Sequence, residues 1–78
     1  MKVEIKPKAA LHRANLKYAN LYNANLTSAT LTNANLTSAT LTDASLIGAN
    51  LMGADLRGAD LTGVKFPEGY GKLPAEAK

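Results

Sequence analysis

Few residues of this 78-residue chain belong to types that do chemistry, and their spacing keeps those few apart. The one histidine, His12, has no cysteine in the chain to activate and no carboxylate within several residues to orient it. A nucleophile and its base must come within hydrogen-bond reach, so His12 reads as a surface residue. The absence of cysteine excludes disulfides and thiolate zinc sites and leaves the redox compartment open. Asp55 and Asp60 both fit a recurring pattern, described next, which sets them too far apart for a shared proton or a compact metal site. Gly48, Gly53, Gly58 and Gly63 recur every fifth residue, as turn residues do, and do not gather into a phosphate-cradling loop. No catalytic, cofactor-binding or metal-binding residue is expected, and neither is enzymatic activity.

The pattern is a five-residue phrase running from Ala9 to Glu68. Leu11, Leu16, Leu21, Leu26, Leu31, Leu36, Leu41, Leu46, Leu51, Leu56 and Leu61 mark it, and Phe66 takes the twelfth place. An alanine stands two residues before each leucine, and Val64 two before Phe66. On an α-helix a step of five drifts by about 140° around the axis, leaving no apolar stripe. On a flat strand an odd step throws alternate leucines to opposite faces. All leucines point inward only if the chain bends by a fixed angle once per phrase, so that short extended pieces become the sides of a coil.

Turn chemistry agrees. The residue two after each leucine reads Arg13, Tyr18, Asn23, Ser28, Asn33, Ser38, Asp43, Gly48, Gly53, Gly58 and Gly63, and seven of these eleven are Gly, Asn or Asp, which tolerate positive φ. Arg13 and Tyr18 depart from that preference. The early turns are therefore expected to be type I and the later, glycine-bearing ones type II. The slot before the leucine is Asn, Asp, Ser or Thr in ten of twelve copies, suited to side-chain ladders or to bonding the adjacent turn.

These phrases resemble the pentapeptide repeat family, whose pattern can be written A-[D/N]-L-x-x. The resemblance covers residues 9–68 and implies an all-β fold, a right-handed quadrilateral β-helix with four repeats per coil and thus three coils. Residues twenty apart should then stack, Leu11 over Leu31 over Leu51 and so on. Residues 1–8 are expected to form an N-terminal capping strand, because Lys2 to Lys6 alternate charged with apolar before Pro7. Residues 69–78 are expected to form a C-terminal cap and tail, with Phe66, Tyr70 and Leu73 covering the last coil. In the family two subunits often meet at that end, which makes these three residues a candidate homodimer contact.

Charge is distributed unevenly. Residues 2–17 carry a local +4, residues 18–42 carry no charge, and residues 43–60 carry −2. The basic end, with Tyr18 and Tyr22 beside Lys17, suits an anionic partner, although so small a charge disfavours nucleic acid. Some family members mimic duplex DNA and regulate type II topoisomerases. A short rod with net charge +3 lacks the rows of carboxylates that such mimicry needs. Thr27, Thr32, Thr37 and Thr42 circle one coil and so do not form the flat array that binds ice. No apolar run is long enough for a signal peptide or membrane span, and a cytoplasmic location is expected. The remaining expectation is a structural or protein-interaction module with an unidentified protein partner. Its candidate surface is His12, Arg13, Lys17, Tyr18 and Tyr22 at one end, with Ile47 and Met52, apolar in outward slots, further on.

Overall fold

The computed structural model describes residues 7–67. The proposed capping strand, except Pro7 and Lys8, and the proposed C-terminal cap with Tyr70 and Leu73 lie outside the described residues.

Parallel bridges join residues twenty apart: Ala10 to Thr30, Asn15 to Asn35, Asn20 to Thr40, Asn25 to Ser45, and likewise into the next layer up to Ser45 with Lys65. Four phrases therefore make one coil, and the chain climbs through coil 1 (residues 7–26), coil 2 (27–46) and coil 3 (47–66). Each side contributes one bridge per layer and then turns a corner. The central outward columns of the four sides are Ala10/Thr30/Asn50, Asn15/Asn35/Asp55, Asn20/Thr40/Asp60 and Asn25/Ser45/Lys65.

Each repeat finds partners for its backbone donors in the same way. The leucine N–H donates to the coil above, as Leu16 to the Asn35 carbonyl at 2.7 Å, and so does the second corner residue, as Tyr18 to Thr37 at 3.0 Å. The residue before the leucine donates downward, as Asn35 to Ala14 at 2.9 Å, and the alanine closes the corner, as Ala19 to Leu16 at 3.0 Å. Four of the five N–H groups in a middle repeat are thus paired by the coil itself. The fifth, on the first corner residue, is left over.

That donor explains the Asn and Asp of the pattern. Oδ1 of Asn15, Asn20, Asn25, Asn35, Asn50, Asp55 and Asp60 accepts the N–H two residues on, at 3.0 to 3.2 Å. Of the two roles open to this slot, the side chains take the local one, bonding their own turn, as short polar side chains do at bends.

The interior is the leucine shaft. Leu21, Leu26, Leu31, Leu36, Leu41 and Leu46 are fully buried, the alanines fill the space between them, and no buried polar residue occurs among the described residues. Full burial of one leucine stabilises by about 1.5–3 kcal/mol. Leu11 and Phe66, at the two ends, are only half-buried against this core.

The corners correct one expectation. Positive φ occurs at the second corner residue throughout: Lys8 (64°), Arg13 (59°), Tyr18 (64°), Asn23 (62°), then Ser28 to Asp43 and the four glycines at 71–73°. The first corner residue is never among them, and the corner is closed by a bond from the alanine N–H to the leucine carbonyl. All turns thus have type II character, and none of the early ones is type I. The physical reason lies beyond the turn. Arg13 and Tyr18 must present their N–H groups to Thr32 and Thr37 in the coil above, and identical corners are what let the layers stack. Ladder bonds and leucine burial outweigh a left-handed penalty of roughly 1–2 kcal/mol per residue.

Candidate functional surface

Every residue singled out in the outward slots does face outward. Among the described residues, Tyr18, Tyr22, Ile47 and Met52 are the exposed large apolar ones, at 69%, 51%, 51% and 72%. Lys17 and Tyr18 share one corner of coil 1, where the Lys17 ammonium lies 5.2 Å from the centre of the Tyr18 ring, within cation–π range. Tyr22 occupies the next corner, and Arg13 the one before. His12 is exposed and its Nδ1 is hydrogen-bonded to Thr32 Oγ1 at 2.8 Å, across one layer. Ile47 and Met52 lie at successive corners of coil 3, above Thr27 and Thr32. The candidates therefore form two groups, a basic and aromatic belt around coil 1 and an apolar pair on coil 3. Of the candidate dimer contact, Phe66 is half-buried against the core, while its two companions lie outside the described residues.

The acids are dispersed. Asp43 stands at a corner, Asp55 in one central column and Asp60 in the neighbouring one, on different sides of the coil. They form no row. Asp55 is bound in a fork by Arg57, Nε to Oδ1 at 2.9 Å and Nη2 to Oδ2 at 2.5 Å, the one ion pair among the described residues. That side-chain bond, helped by the Arg57 N–H, brings the Asp55 carboxyl down to about 2. Asp60 is also lowered, first by the Thr62 hydroxyl and then by the Thr62 N–H. A shallow open hollow beside this pair is lined by Gly53, Ala54, Asp55 and Arg57. Among the described residues, no group of three or more His, Cys, Asp or Glu is placed to hold a metal ion. No helix among them is long and apolar enough to cross a membrane.

Sequence reasoning left the Asn/Asp slot between two roles, and the structure shows the local one. Where the slot holds Thr30, Thr40 or Ser45, no such bond to the corner N–H forms.

The model for "Pentapeptide repeats" matches residues 7–33 and 29–67, with eight copies. No curated protein matches the chain. Among solved structures, the chain is similar to a pentapeptide repeat protein of the Arabidopsis thaliana thylakoid lumen. That match has 38% identity and a TM-score of 0.73 and covers 74% of this chain and 40% of that one. A second similar structure, from the cyanobacterium Cyanothece 51142, has 36% identity and a TM-score of 0.68, covering 77% and 45%. A third is HetL of the cyanobacterium Nostoc, a protein involved in heterocyst differentiation regulation, with 38% identity, a TM-score of 0.58, and coverage of 81% and 32%. The chain spans less than half the length of each of these three. With its twenty-residue register, four-sided coil and matching family model, the chain belongs to the pentapeptide repeat family and folds as a right-handed quadrilateral β-helix.

Proposed function

We propose that this protein is a non-enzymatic module that holds the outward side chains of its coils against another protein. The observation that carries this reading is the separation of inward from outward slots. Leucine and alanine, with Val64 and Phe66, fill the shaft, so the interior takes up no polar or charged side chain among the described residues and large apolar groups are left half or more exposed. A scaffold of stacked coils presents such groups at fixed intervals, as repeat proteins do when they bind partners along an extended surface. Exposed aromatic and apolar side chains on a rigid body are what protein interfaces recruit.

The test is capture of partners from the source organism by the intact chain and by a variant carrying Tyr18→Ser, Tyr22→Ser, Ile47→Ser and Met52→Ser. All four residues are exposed, so the variant should keep its circular dichroism spectrum. A protein retained by the chain and lost by the variant is the expected result. Equal recovery by both, or turnover of a small-molecule substrate by the purified chain, would overturn the reading.

A further inference from the structure

Coil 1 holds long side chains where the backbone favours short ones. Three of its four second-corner residues are Lys8, Arg13 and Tyr18, all at φ near +60°, whereas the same slot in coils 2 and 3 holds only Ser, Asn, Asp and Gly. Bulky residues at positive φ are uncommon, and strain retained at exposed positions is a pointer to function. Their one side-chain contact of note is an exposed one, the Lys17 ammonium 5.2 Å from the Tyr18 ring centre. Lys8, Arg13 and Lys17 make no ion pair among the described residues, and no acid occurs between residues 7 and 42 to provide one. Tyr18 and Tyr22 stand exposed beside them. Asn15 and Asn20, between these corners, spend Oδ1 on their own turns and leave their amide NH₂ groups as further donors. Coil 1 thus presents donors, cations and aromatic rings with no anionic group of its own among the described residues; Asp43 stands one layer up, over Asn23 beside the Tyr22 corner.

We propose that Arg13, Lys17, Tyr18 and Tyr22 form a docking surface for an acidic segment of a partner protein. The inference rests on the reading of the chain as an interaction module and names the partner's chemistry. Carboxylates of the segment pair with Arg13 and Lys17 and accept from the Asn15 and Asn20 amides, while its apolar side chains lie against the tyrosine rings. A protein segment fits better than nucleic acid for two reasons. The three cations of this belt, which make no ion pair among the described residues, release too few counterions to hold a polyphosphate strongly at physiological salt. Tyrosine and arginine, moreover, are the residues that dominate protein interfaces.

The test compares the full chain with its Arg13→Asn/Tyr18→Asn variant. Asn23 already occupies this slot at φ 62° beneath Asp43, so the substituted corners have a precedent in the same coil. The probes are a fluorescently labelled peptide rich in Asp and Glu, a Lys-rich control peptide and an oligodeoxythymidine. The acidic peptide should bind with an affinity that falls with salt, and the variant should bind it roughly tenfold more weakly. Relief of the corner strain should at the same time raise the variant's thermal midpoint by about 4–8 °C. Weaker binding by a more stable protein is an outcome that a merely structural role cannot produce. Failure of the acidic peptide to bind better than the control, unchanged affinity in the variant, a lowered midpoint, or tighter binding of the oligonucleotide would each overturn the proposal. A captured partner that ignores the Arg13→Asn/Tyr18→Asn change would leave the interaction reading standing and remove only this one.

Discussion

Coil 1 and coil 3 follow the same backbone path with opposite chemistry at their corners. Below stand Lys8, Arg13, Tyr18 and Asn23; two layers above them stand Gly48, Gly53, Gly58 and Gly63. Both sets have positive φ, so glycine is not what creates the bend. What the glycines do supply is room. A Cβ on Gly53 would overlap Asn33 Oδ1 and one on Gly63 would overlap Asp43 Oδ1, because the coil 2 side chains lean over the layer above. At Gly48 and Gly58 the nearest atoms are the Ser28 and Ser38 hydroxyl oxygens, at 3.1 and 3.2 Å, which is tight but can be relieved. The comparison teaches that corner conformation is imposed by stacking, while corner size is set by the neighbour beneath.

The largest effect should come from the shaft that both coils share. Leu36→Ala removes a fully buried side chain and should cost about 2–5 kcal/mol in urea denaturation, enough to threaten so small a domain. A smaller cost, about 1–3 kcal/mol, is expected for Gly53→Ala, which combines strain at φ +73° with overlap on Asn33. Gly48→Ala should cost less, since only a serine hydroxyl must move; equal losses at the two positions would show that φ alone matters. Asn35→Ala should then cost about 1 kcal/mol by uncapping the Thr37 N–H and hydroxyl, both bound to Asn35 Oδ1. Thr40→Ala, in a slot that makes no such bond, should be nearly silent.

The smallest effect concerns acid. Asp55 titrates in the fold at about 2, below an ordinary aspartate, and Asp60 is also lowered. A depressed carboxyl contributes stability that is complete above the unfolded value, near pH 4, and is lost as pH falls toward about 2. The thermal midpoint should therefore decline through that window, and Asp55→Asn should flatten part of the decline. Asp60 is exposed and Asp55 partly so, so the change should be slight and further reduced by salt.

Much of this molecule was legible because its period is short and unbroken. The inward leucines, the outward candidates and the placement of Tyr18, Tyr22, Ile47 and Met52 in solvent follow from counting by five. The register of twenty came from the family resemblance, since a period alone gives a bend per repeat and not the number of bends per layer. Arg13 and Tyr18 misled because local preference argued for negative φ, whereas their N–H groups answer to carbonyls nineteen residues away. The Asn/Asp slot was ambiguous for a related reason: a side chain that can bond up, down or locally is decided by which backbone donor the coil leaves over. Candidate partners stayed illegible because outward slots obey no packing rule that could be read backward.

The twenty-residue register also makes the solenoid a staircase whose landings cannot be moved singly. Duplicating a whole flight of twenty would add a storey and leave every façade as it was. Inserting one phrase of five would fill the shaft equally well, yet turn all that lies beyond it by a quarter, so that Met52 would look out where Arg57 now does. Growth of such a protein without scrambling its surface must therefore proceed by complete circuits.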